Sequence, residues 1–329
     1  MTSSHSFKIE ADPDGNQIGI FQVERSLQPG QSITIEVSFR AYLQLTATRQ
    51  LEWTPQLEYS FSGNKQEIPQ ELVKKYCSSA GPWRIDDPSP SWRSVRELAD
   101  RLAQNETNVL RAVMLLVAWV GQNIKYPSTR RDRIQLPNET LVYREGDCDE
   151  QANLIISMCR TLGIPAYLQS GCVYLPAKAD KGSKFDGHLS FELDRIGWHA
   201  WAMIYVLPWG WLPADMTMGY SKEYPILAIQ GAATQALSTV TSNNYLVTDY
   251  VSETNREAEE LKRTEAYVEE KESIRPIAIS PEYQATAGVG TTTTMLIAFG
   301  IAVVGVYIAV RSKAVAKKRQ AQYWGPGKP

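Results

Sequence analysis

Cys148, His199 and Asp215 are the residues of this 329-residue chain whose types and order could carry nucleophilic chemistry. Cys148 lies in GDCDEQANLIISMCRTLGIPA, residues 146–166. Asp147 and Glu150 have capping-box spacing, so the pattern predicts a helix that begins at Cys148 and ends at Gly163 in the left-handed conformation. A thiolate there gains from the helix dipole, and the free N–H groups of the first turn suit a tetrahedral oxyanion. Asp147, Asp149 and Glu150 oppose ionisation, so the thiol needs a cationic partner. The period of the helix puts Cys148, Ala152, Ile155, Ile156, Cys159 and Leu162 on one stripe. It puts Asp149, Asn153, Ser157 and Arg160 on the opposite, polar one.

GWHAWAMIYVLPWGWLPADMT, residues 197–217, offers that partner. Alternation places His199, Trp201, Met203 and Tyr205 on one face of a strand, and Ala200, Ala202, Ile204 and Val206 on the other. LPWG (207–210) turns the chain and WLPAD (211–215) returns it, so His199 and Asp215 fall near matching ends of a hairpin. A carboxylate there would fix the imidazole tautomer and leave the other ring nitrogen for a thiol. Each piece taken singly has a plainer reading. A free cysteine usually packs as a small hydrophobe, and an Asp after a strand is usually a turn residue. The order Cys, His, Asp on these elements is what raises the catalytic reading. Spacing by itself leaves both open.

The other candidates are weaker. His188, in KFDGHLSF, reads as a solvated loop residue, with a flap over the cleft as its alternative. Cys159 and Cys172 flank the same core and read as packing residues. With Cys77 they leave room for one disulfide in an oxidising compartment, without choosing the pair. Trp198, Trp201, Trp209 and Trp211 crowd the hairpin, as core or as cleft wall. The sequons at Asn105 and Asn138 are near chance frequency.

The positioning elements follow from pattern. Residues 1–80 read as a β-rich, sandwich-like domain: SITIEVSFRAYL (32–43) alternates cleanly, and DPDGN and QPGQ supply turns. Residues 81–92 read as a linker, and 93–240 as a mixed α and β core. That core opens with helical patterns at 94–104 and 108–124. Residues 241–284 hold a charged helix predicted over Thr254–Ser273, with Thr254 and Glu257 as its capping box and Pro276 beyond its end. Residues 285–310 form an uncharged stretch, and 311–329 a basic tail. As a helix, 287–310 would be about 36 Å long, enough for a hydrocarbon core of about 30 Å. Arg311, Lys313, Lys317, Lys318 and Arg319 follow it, which predicts a single-pass span with a cytoplasmic C-terminus and an extracytoplasmic soluble region. The opening MTSSHSFKIEADPDG lacks the features of a signal peptide, so charge asymmetry carries this expectation.

Composition narrows the classes. A net charge of −2 with no basic, aromatic-interleaved stripe before residue 300 argues against nucleic acid. Four cysteines without a CxxC, and three histidines (His5, His188, His199), give no metal-site spacing. No cofactor is expected. The remaining partners are a protein or peptide substrate and the membrane.

REGDCDEQANLIISMCRTLGIPAYLQSG, WHAWAMIYV and GWLPADMT together resemble the transglutaminase-like family of papain-related thiol enzymes. The family pattern runs G-x-C with alanine four residues on, a G-I-P-A turn, H-A-W, and G-W-x-x-x-D-P-T. The likeness covers roughly residues 85–235 and extends to NIKYP (123–127). It implies an α+β papain/transglutaminase-like core, Cys148 as nucleophile, His199 as general acid/base and Asp215 as orienting carboxylate. It also implies water or an amine as acyl acceptor. The flanking β domain, charged helix and membrane span are similar to the arrangement of archaeal membrane-anchored members. Met203 stands where the family often has an acid, and Met216 replaces the proline of D-P-T. A catalytically silent surface scaffold or peptide-binding protein is the alternative on the same fold.

Overall fold

The computed structural model describes residues 2–12, 14–21, 30–38, 59–127, 134–217, 220–229, 236–242, 250–275 and 305–306. The N-terminal part contains β1 (Thr2–Ser3), β2 (Phe7–Ala11), β3 (Gln17–Phe21) and β4 (Val37–Ser38). β2 and β3 form an antiparallel hairpin, and β1 pairs with β4. The predicted strand around residue 35 is therefore short among the described residues.

Residues 59–92 depart from the expected boundaries. The chain there forms α1 (Gln70–Tyr76) and leads into α2 (Pro90–Ala103). Ile68, Trp83 and Trp92 are buried in the same core as Leu154, Ile155 and Ile156. Residues 81–92 are thus not a free linker. Trp83 is fully buried and donates from Nε1 to Asn153 Oδ1 at 3.0 Å, which ties the segment down. The polar composition that suggests a linker is confined to the residues around two buried tryptophans.

α3 (Val109–Asn123) starts where expected, with Asn108 Oδ1 accepting from Arg111 N at 2.9 Å. It is followed by α4 (Pro137–Tyr143) and α5 (Cys148–Thr161). α5 ends as the sequence predicts. Gly163 has φ +72°, and its N–H bonds Arg160 O while Ile164 N–H bonds Cys159 O, a Schellman closure. The expected polar face of α5 does not reach water, however. Asn153 and Ser157 are fully buried and Arg160 nearly so. Arg160 donates to Ala166 O and Ser78 O, both at 2.9 Å, and lies over the Trp83 ring at 4.2 Å. This face is packed because Asn153 and Arg160 find partners in the 78–83 segment, while the Ser157 hydroxyl is buried with no hydrogen-bond partner among the described residues. Leu154, Ile155 and Ile156 are fully buried, each contributing about 1.5–3 kcal/mol of transfer free energy.

The sheet runs β7 (Gly210–Ala214), β6 (Leu189–Val206), β5 (Ala166–Lys184), β8 (Ala236–Ser242), all antiparallel. Ala200, Ala202, Ile204 and Val206 face the main core, as alternation predicts, while Trp201 and Met203 pack with Val173 on the other face. Between Tyr174 and Ala179 the β5–β6 ladder is interrupted, and beyond it the two strands continue as a long arm.

The predicted charged helix over Thr254–Ser273 divides in two. α6 (Tyr250–Thr264) starts earlier and stops at Glu265, which has φ +50°, and β9 (Val268–Ser273) pairs in parallel with β6 at Leu189–Asp194. The strand forms because the arm offers an open edge, which local charge pattern does not reveal. Most of the expected membrane span lies outside the described residues. Gly305–Val306 are described as β10, paired in parallel with Ile18–Gly19. Among the described residues no helix is long and apolar enough to cross a membrane.

Candidate active site

β7 pairs with β6 only at Ala202–Val206, and β9 only at Leu189–Asp194. Among the described residues one edge of β6 between them is unpaired by strand, and this gap contains His199. The N-terminus of α5 meets β6 here: the Ala200 backbone N–H is directed to the Cys148 thiol. The helix start is held by Asp147 N–H donating to Glu150 Oε2 at 2.9 Å. A Cβ at Gly146 would come within 2.9 Å of Glu150 Cβ and 3.0 Å of Thr140 Cγ2, so only glycine lets the chain enter the helix so closely.

His199 and Asp215 are brought together by the hairpin register. Ala202 pairs with Ala214, which sets the following Asp215 close to His199. His199 Nε2 lies 2.7 Å from Asp215 Oδ2, and the carboxylate side chain is almost fully buried. The other carboxylate oxygen accepts from Thr217 N and Thr217 Oγ1, both at 2.9 Å. Asp215 N–H in turn donates to Ala228 O at 2.7 Å. Nε2 is thus engaged by the carboxylate, which leaves Nδ1 as the free ring nitrogen. Thr217 and the Ala200 amide were not singled out from sequence. The threonine was legible in the D-x-T spacing, while the amide has no sequence signal, because every residue carries one.

The surroundings of Cys148 do not favour a thiolate on their own. The residue is partly buried, and burial pushes its pKa well above the ordinary thiol value; the charges of Asp149 and Asp147 add to this, the Ala200 amide opposes it, and Asp215 adds a smaller push upward. Asp147 is itself pushed up to about 9, first by burial and then by the hydrogen bond and charge of Asp149 and the charge of Glu150, with Lys184 opposing. Ligand-type atoms of Asp147, Cys148 and Asp149 lie within 4.8 Å of one another, which accounts for this mutual effect. These surroundings favour the protonated form of Asp147.

The remaining candidates sit elsewhere. Burial pushes Cys77 and Cys172 up to about 12 and raises Cys159 as well; all four cysteines are free thiols. His188 stacks on Tyr267 at 4.6 Å, with Nδ1 2.9 Å from Ala266 O, so it fastens the arm to the α6–β9 turn. Trp201 is core, and Trp211 packs edge-on to Tyr76 and Tyr167. Trp198 is 54% exposed and donates to Glu272 Oε2 at 2.7 Å. Met203 packs with Trp201, and Met216 is buried in the main core.

Residues 96–216 match the family model of the transglutaminase-like superfamily, a stretch that includes Cys148, His199 and Asp215. The chain carries a transglutaminase-like domain. It is a mixed α and β core of the kind expected from the motifs. Three solved structures give the extent of its likeness to other proteins. A candidate cysteine protease from Cytophaga hutchinsonii is 18% identical, over 55% of this chain and 60% of that one, with a TM-score of 0.33. The periplasmic domain of TgpA from Pseudomonas aeruginosa is 20% identical, over 52% and 54%, with a TM-score of 0.30. Red sea bream transglutaminase is 14% identical, over 62% and 48%, with a TM-score of 0.35. The chain spans from about half to three fifths of the length of these structures. No curated protein matches the chain.

Proposed function

We propose that the protein is a membrane-anchored thiol enzyme that acts on peptide or similar amide bonds, with hydrolysis favoured over transfer to an amine. The observation that carries the reading is the 2.7 Å contact between His199 Nε2 and buried Asp215, on the strand whose next amide is directed to Cys148. In this mechanism Nδ1 of His199 takes the thiol proton as Cys148 Sγ attacks the carbonyl carbon. The N–H groups at the start of α5 stabilise the oxyanion. His199 returns the proton to the departing amine as the C–N bond breaks, leaving a thioester. Water then attacks that carbonyl, His199 accepts its proton and gives it to Sγ, and the carboxylic acid leaves. Water is the favoured acceptor because, among the described residues, Lys125 and Tyr126 beside the site are exposed and leave it open to solvent on that side.

A specific observation favours the alternative of a silent, peptide-binding scaffold: burial and the neighbouring acids hold the thiol protonated. Alkylation separates the two. At neutral pH iodoacetamide should label Cys148 faster than Cys77, Cys159 or Cys172, and His199→Ala should remove the advantage in a folded protein. Asp215→Asn should reduce it less than His199→Ala does. Equal labelling of Cys148 before and after the His199 substitution would leave only the scaffold.

Membrane anchoring rests on the uncharged residues 287–310 and the basic cluster that follows them. Protease added to intact cells should then digest the soluble region and spare the tail. Digestion that requires lysis would reverse the topology.

A further inference from the structure

A cavity of about 390 Å³ opens beside the residues that hold His199. Gln122, Lys125 and Tyr126 contribute from the end of α3 and the chain after it, Gln151 from α5, and Met216 and Thr217 from the segment after β7. Two of these connect it directly to the site. Thr217 holds Asp215, and Gln151 lies one helical turn beyond Cys148, with Nε2 donating to Gly146 O at 2.8 Å. A peptide whose carbonyl reached Cys148 would have this cavity as its neighbour.

Among the described residues Lys125 is the one charged side chain lining the cavity. Its backbone is pinned to the turn that leads into Cys148: Lys125 N–H donates to Arg144 O at 3.0 Å, and Gly146 N–H donates to Lys125 O at 2.9 Å. Among the described residues no salt bridge involves its ammonium. The wall behind it is fixed. Tyr220 covers Gly121 so closely that a Cβ there would meet the ring at 2.5 Å. An exposed lysine on a backbone held in place, lining a cavity with otherwise uncharged polar groups among the described residues, favours an anion there.

We propose that this cavity is the subsite for a carboxylate-bearing residue of the peptide substrate, with Lys125 as its specificity-determining residue; the inference rests on Cys148 being the nucleophile proposed above. The raised pKa of Asp147 weakens the repulsion an incoming carboxylate would meet close to the thiol. Gln122 and Thr217 line the same cavity with uncharged polar side chains.

A matched pair of thiol reagents tests it, N-chloroacetyl-Ala-Glu and N-chloroacetyl-Ala-Gln. Each alkylates Cys148 by displacement, forming a C–S bond and releasing chloride, and intact mass with peptide mapping reads the rate. The wild type should half-saturate at about threefold lower concentration of the Glu reagent, as fits an ion pair at an exposed site, with similar limiting rates. Lys125→Gln should abolish the preference, Lys125→Glu should reverse it, and added salt should shrink it. Circular dichroism verifies that the variants are folded. Alkylation of Cys148 without preference, or a preference that survives both substitutions, overturns the subsite and leaves the nucleophile standing. Failure of both reagents to reach Cys148 removes the nucleophile, and the subsite falls with it.

Discussion

Cys148 and Cys159 occupy one stripe of one helix and meet opposite surroundings. Cys159 is fully buried beside Arg160, whose positive charge favours its thiolate, yet burial outweighs that charge and the thiol pKa rises. Cys148 is also raised chiefly by burial, but it is partly exposed, has acids for neighbours and an amide pointing at it, and feels the charge of Asp215. A nearby fixed cation therefore does not by itself lower a buried thiol's pKa. Access and a group that can take the proton matter more, because a buried anion loses more solvation than one charge returns. Arg160 serves the fold instead, satisfying carbonyls of two separate segments.

The comparison breaks first at the two cysteines themselves. Cys148→Ala should lower turnover by at least about a thousandfold while leaving the melting temperature unchanged or slightly higher. Cys159→Ala should do the reverse, keeping turnover and costing about 1 kcal/mol for the small cavity it leaves. If Cys159→Ala also removed activity in a folded protein, the division of the helix into a reactive and a structural end would be wrong.

A smaller effect sharpens the acidic end. An unfolded Asp titrates near about 3.9, whereas Asp147 in the fold is raised to about 9. Between those values the native state holds a proton that the unfolded chain releases, so Asp147 lowers stability progressively as pH rises from about 4 to about 9. Asp147→Asn removes that dependence. Its melting temperature should match the wild type below pH 4 and exceed it by a few degrees, about 2–6 °C, at pH 8. Thermal melts at several pH values decide the point; parallel curves would mean that Asp147 is ionised in the fold.

The helix bearing Cys148 and its Schellman end were legible because capping and left-handed termination depend on residues a few positions apart. The same holds for α3 and for the alternation of β6. The charged segment after residue 250 was misread for the converse reason. Thr254 and Glu257 have capping-box spacing, but α6 begins at Tyr250, and Val268–Ser273 become a strand because β6 leaves an edge open to them. Polar residues 81–92 likewise hid Trp83, whose partner Asn153 is far away in sequence.

The sequence by itself determined α3, α5, the β6–β7 hairpin, the order of cysteine, histidine and aspartate, and the inward face of β6, since each depends on periodicity and local hydrogen bonding. Tertiary structure alone decided that the polar stripe of α5 is buried, that Thr217 holds Asp215, that the Ala200 amide meets Cys148, and that Lys125 stands beside a cavity. Those depend on which distant segments fill the space around each side chain. That choice is made by packing and by the need to pair every buried polar group, neither of which has a period along the chain.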